Sequence, residues 1–113
     1  MAAPIIDAAT FAELQASAGE DFVGELIDTF FEEAPTMLAE LRRSAAAAEA
    51  EAFRRAAHSL KSNANTFGAF ALGSLARELE LGGLDAGRQP GALERLDEAY
   101  RLAAAALAEQ GNG

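Results

Sequence analysis

Residues 53–68 read Phe-Arg-Arg-Ala-Ala-His-Ser-Leu-Lys-Ser-Asn-Ala-Asn-Thr-Phe-Gly. Apolar side chains at 53, 56, 60, 64 and 67 recur at spacings of three and four, the repeat of one helix face. With about 100° of rotation per residue and His58 set at zero, these five fall between roughly 160° and 240°. That side is the buried stripe. Arg54, Arg55, Lys61, Ser62 and Asn65 fall within about 60° of His58, so the histidine points to solvent from the middle of a polar face. Phe67-Gly68 closes the segment, because glycine suits the left-handed position that ends a helix.

The same periodicity runs outward in both directions. Alanine, at 29 residues, dominates with leucine, glutamate and arginine, and β-branched residues are scarce, a composition that favours helix throughout. The spacing predicts helices over about 7–18, 21–48, 49–66, 69–81 and 92–108. Asp7 is the expected N-cap of the first, with Phe11 and Leu14 inward. The second carries a stripe of Phe22, Leu26, Phe30, Ala34, Met37, Leu41 and Ala45. Pro35 interrupts it, and the lost amide bond to residue 31 predicts a kink or a break there. Gly82-Gly83 is expected to end the fourth, residues 84–91 to form a turn-rich loop, and the last to face inward with Leu93, Leu96, Tyr100, Ala103 and Leu107. Residues 111–113 read as a frayed tail. The expected fold is all-α, one domain over 1–113: an antiparallel up-down-up-down four-helix bundle with a short additional N-terminal helix.

Charge and composition exclude several functions. Absence of cysteine rules out disulfides and thiolate metal sites. A net charge of -9 argues against nucleic acid and anionic lipid as partners. The longest apolar stretch, Leu102 to Ala108, is far short of the roughly 20 residues that span a bilayer. The N-terminus lacks the basic start and long apolar run of a secretory signal, so a cytoplasmic location is expected. The initial methionine and glycine-containing tail suit a stand-alone protein, an excised module of a hybrid kinase being the alternative. Within the chain, residues 1–40 sum to -9, residues 41–77 to +4 and residues 78–113 to -4. The positive third holds both the single histidine and the single lysine.

Chemistry narrows what that histidine does. A helix-bundle di-iron site needs Glu three residues before His, and position 55 is arginine, so no metal is expected. A Ser-His-Asp arrangement needs a buried carboxylate and a cleft, which a convex helix face does not offer. What remains is the imidazole as a nucleophile that carries a transferred group. An anion fits: a phosphoryl group on His58 would bring about two negative charges beside Lys61 and Arg54.

The run from Arg54 to Gly68 resembles the signature of histidine-containing phosphotransfer (HPt) domains, His-x-x-Lys-Gly followed by a hydrophobic-Gly pair. The continuation Leu75-Ala-Arg-Glu-Leu79-Glu80 and the upstream Phe30-Phe31-Glu-Glu-Ala-Pro35 are similar to bacterial members. The resemblance implies that His58 accepts a phosphoryl group on Nε2 from a receiver-domain aspartyl phosphate and passes it to a response-regulator aspartate. By the same resemblance Lys61 steadies that group, Ser62 stands where the family has glycine, and Glu80 stands where some members carry a glutamine. Arg54, Asn65 and Arg77 are further candidates around the site, and Ala57 is expected on the docking surface.

The implied partners are receiver domains of hybrid histidine kinases and response regulators. No cofactor is expected in the chain itself, with Mg²⁺ supplied by the receiver. The protein would be a monomeric phosphoryl carrier and not an enzyme, since no Gly-rich phosphate loop is present. The alternative is a non-catalytic helical adaptor or pseudo-HPt module.

Overall fold

The structure is a computed structural model that describes residues 5–112. Its helices are α1 (Ala8–Ala18), α2 (Glu20–Ala47), α3 (Ala50–Thr66), α4 (Phe70–Gly87) and α5 (Ala92–Asn112). Each of α2, α3 and α4 packs on its successor and α5 returns to α2, closing a four-helix bundle. α1 lies across α2 and α3 at one end. The Asp7 carboxylate accepts from the Thr10 backbone N–H at 3.0 Å and the Thr10 hydroxyl at 2.6 Å, which caps α1. The Asp7 N–H donates to the Gly68 carbonyl at 2.9 Å, fastening this helix start to the turn after α3. Gly68 has φ +82° there, and a Cβ on it would stand 3.0 Å from the Asp7 carbonyl oxygen.

The core follows the expected stripes with one shift. On α2 the buried residues are Val23, Ile27, Phe30, Ala34, Leu41 and Ala45, whereas Phe22 is 51% exposed. A stripe begun at Phe22 is one position out of register: from Phe30 backward, steps of three and four reach Ile27 and Val23, leaving Phe22 at the rim. Phe53, Leu60, Leu72, Leu96 and Leu107 fill the centre, each essentially inaccessible to water. Phe30 stacks obliquely on Phe67 (5.4 Å between ring centres, 46°) and edge-on to Tyr100 (5.7 Å, 64°), joining α2, α5 and the end of α3.

Two boundaries differ from the sequence expectation, and at Pro35 the helix does not break: α2 runs from Glu20 to Ala47, close to the expected 21–48. The proline is exposed, while Ala34 beside it, with Phe30 and Leu41 on either side, is held in the core. Gly83 leaves helical geometry (φ 68°, ψ -153°), but the chain turns helical again through Leu84–Gly87, so part of the expected loop is helix. Burial explains this: Gly87 admits the Phe53 ring, whose Cζ would lie 2.4 Å from a Cβ at that position. α5 continues to Asn112 instead of fraying at 111, and Gly113 lies outside the described residues.

Between α3 and α4 the contacting residues are small. Ala57 and Ala64 on α3 and Gly73 and Ala76 on α4 are all buried. The two helices therefore approach closely, and this approach is what brings α4 side chains to the polar face of α3.

Candidate functional site

His58 stands at the middle of α3 with 54% of its side chain exposed. Its Nδ1 lies 2.6 Å from Glu80 Oε2 on α4. The other carboxylate oxygen of Glu80, Oε1, lies 2.7 Å from Lys61 Nζ. Glu80 is thus clasped between the single histidine and the single lysine, with only 14% of its side chain exposed. The Lys61 ammonium first, and the His58 ring second, hold its carboxyl below the usual glutamate range, so it is ionised at neutral pH.

That charge state fixes the ring. An ionised carboxylate only accepts hydrogen bonds, so the proton at the contact belongs to His58 Nδ1. The lone pair of a neutral ring then resides on Nε2, the atom on the other side from Glu80. A second group at a distance orients the nucleophile's ring in the same way that a carboxylate orients the base of a catalytic triad.

The structure distributes the remaining candidates unevenly. Lys61 is brought onto the histidine through Glu80. Arg54 is exposed on the same face, but its guanidinium pairs with Glu51 at 2.5 Å. The expected basic ring is therefore partly neutralised by its own acids, Arg54 by Glu51 and Lys61 by Glu80, while Arg55 has no ion-pair partner among the described residues. Ser62 and Arg77 are exposed, and among the described residues Arg77 has no ion-pair partner. The Asn65 side chain lies over Gly73, its Oδ1 2.0 Å from where a Cβ would stand, so it covers the α3–α4 contact one turn beyond Lys61. Phe67 and Gly68 close α3, Phe67 buried beneath the site and Gly68 in the left-handed conformation expected of it.

Ala57 is a correction. It is fully buried, so it offers nothing to a docking partner. On the helical wheel it lies about 100° from His58, a flank that is open on an isolated helix. α4 packs onto that flank. Glu80, by contrast, carries more than the sequence suggested. A glutamate 22 positions from the histidine gives no spacing signal, and only alignment with the family's glutamine position pointed to it. On the far flank, Thr36, Met37 and Glu40 of α2 with Ala52, Arg55, Ala56 and Ser59 of α3 line a shallow groove of about 310 Å³.

Comparison with known proteins agrees with this arrangement. The family model for the Hpt domain matches residues 25–110. Among solved structures, histidine-containing phosphotransfer protein B (HptB) from Pseudomonas aeruginosa PAO1 is similar over 98% of this chain and 97% of that chain, with a TM-score of 0.85 and 27% identity. Comparison with curated protein sequences returns no match. Since the family model covers most of the chain and the fold agrees end to end, the chain belongs to the Hpt domain family, the phosphocarriers that act as histidine phosphotransfer intermediates with receiver domains.

Proposed function

We propose that His58 Nε2 is the atom that carries the phosphoryl group. It takes the group from the aspartyl phosphate of a receiver domain and gives it to the aspartate of a response regulator. The observation that supports this reading most strongly is the exposed imidazole whose Nδ1 is occupied by Glu80 at 2.6 Å, leaving Nε2 as the free nucleophile. In the forward step the Nε2 lone pair forms the N–P bond as the P–O bond to the aspartyl carboxylate breaks. In the return step the N–P bond breaks toward the second aspartate.

Lys61 lies one turn from His58 and supplies positive charge to the phosphoryl oxygens. The chain acts as a carrier and contributes no catalytic machinery beyond this nucleophile and its neighbours. The receiver supplies Mg²⁺ and most of the transition-state stabilisation. Arg77 and Ser62, exposed around the histidine, belong to the docking surface together with the polar face of α3. A monomer working in the cytoplasm fits a module whose helices are too short or too polar to cross a membrane among the described residues.

The test uses a receiver domain phosphorylated on its aspartate with radiolabelled phosphate. Wild type is expected to take up acid-labile, base-stable label, and His58→Gln to take up none. No uptake by wild type from any cognate receiver, or equal uptake by the variant, overturns the reading.

A further inference from the structure

Glu80 does more than orient the ring. We propose that its carboxylate sets how long His58 keeps a phosphoryl group, making this chain a fast-releasing carrier. This rests on His58 being the phosphorylated residue. The geometry bears on it in three ways. First, Glu80 Oε2 at 2.6 Å holds the proton on Nδ1 after Nε2 has been phosphorylated. When phosphorus is attacked, the N–P bonding pair returns to Nε2, and with Nδ1 protonated the departing ring is neutral imidazole. Without that proton it would leave as an imidazolate anion, a far poorer leaving group.

Second, the same carboxylate places a negative charge on the ring edge opposite the phosphoryl dianion. It is ionised, and its two oxygens are held by His58 and Lys61. Third, Glu80 Oε1 holds Lys61 Nζ at 2.7 Å, so the one lysine of the chain divides its charge between Glu80 and the phosphoryl group. The first speeds departure by keeping the leaving ring neutral and the third withholds positive charge from the phosphoryl oxygens, while the second repels the dianion but also steadies the protonated ring, so the first and third carry the proposal. A glutamine at 80 would weaken the first, because a neutral amide still accepts from Nδ1–H but holds that proton less tightly, and would remove the other two: no opposing charge, and Lys61 free for the phosphoryl oxygens.

Potassium phosphoramidate serves as the probe, because it needs no partner protein. The Nε2 lone pair attacks phosphorus, the donor's P–N bond breaks, ammonia leaves, and the Nδ1 proton stays on the ring. Wild type, Glu80→Gln and His58→Gln are loaded, freed of donor, and followed at constant neutral pH by the phosphorus NMR signal of phosphohistidine. Glu80→Gln is expected to lose the group roughly fivefold more slowly, the worth of the Glu80 charge to a protonated ring about 4 Å away in water-like surroundings. Long-range nitrogen–proton NMR on the unloaded proteins is expected to place the His58 proton on Nδ1 in wild type.

Equal or faster loss in Glu80→Gln overturns the proposal, as does a wild-type ring protonated on Nε2. A Glu80→Gln protein that folds but cannot be loaded also overturns it, since the amide still accepts from Nδ1–H and the proposal assigns lifetime to the charge. Failure of the underlying reading looks different: wild type would take no phosphoryl group, or His58→Gln would take as much.

Discussion

At the residue scale, His58 and Lys61 were legible because they share one helix. Three residues on a known period place them on one face without any knowledge of the fold. Glu80 was not, because its place beside them depends on how closely α4 approaches α3, and that is set by Ala57, Ala64, Gly73 and Ala76. The misreading of Ala57 has the same origin: a small residue on the flank is indistinguishable, in sequence, from a small residue that lets another helix in. Lys61 gives a prediction at this scale. Its charge is shared with Glu80, and its side chain is a quarter exposed, so its removal costs the fold little. Lys61→Ala is expected to keep its melting temperature within about 5 °C of wild type. Its rate of phosphoryl uptake from a phosphorylated receiver should nevertheless fall. A collapse in melting temperature would make the lysine structural, and an unchanged rate would remove it from the site.

At the element scale, helix existence was written in the periodicity, and the ends were where packing overrode local signals. Pro35 and Gly83 are both helix breakers by intrinsic preference. α2 runs through the first because core residues bracket an exposed proline, and a helical turn follows the second because Gly87 must meet Phe53. Ala48 shows a similar override, ending α2 in the left-handed region (φ 58°) without being glycine. Arg88 then donates to the Ala45 carbonyl at 3.1 Å, satisfying one of the free carbonyls at that end. The Gly87 contact yields a sharp test. A Cβ there would lie 2.4 Å from Phe53 Cζ and 2.7 Å from Cε2, and Phe53 is fully buried with no room to turn. Gly87→Ala is therefore expected to destabilise the fold by about 1–3 kcal/mol, despite alanine's better helix propensity. Thermal melts followed by circular dichroism check it. A variant as stable as wild type would mean that the α4 end does not clamp the Phe53 ring.

At the scale of the whole molecule, much of the positive charge in the middle of the sequence is paired with acids. Three of the five arginines of the positive middle reach acids on their own and other helices: Arg42 pairs with Asp97, Arg43 with both Glu40 and Glu49, and Arg54 with Glu51. The carboxyls of Glu40 and Glu49 are lowered by Arg43, Glu51 by Arg54, Glu80 by Lys61 and His58, and Asp7 by its hydrogen bonds from Thr10. A carboxyl whose value is lower in the folded chain than in the unfolded one contributes stability above its unfolded value and loses it as pH falls through the folded one. Unfolded glutamate titrates near 4.5. The melting temperature is expected to hold between about pH 7 and pH 5 and to drop steadily below about 4.5. As pH falls the net charge of -9 shrinks to zero near the isoelectric point of about 4.5 and turns positive below it, so self-repulsion is relieved down to that point and grows again beneath it. A fall that already begins near pH 4.5, where self-repulsion is smallest, therefore reports the contribution of the paired carboxylates. High salt, which screens exposed pairs, should make the fall shallower. A melting temperature at pH 3.5 equal to that at pH 7 would show that these pairs hold the side chains in place without stabilising the bundle.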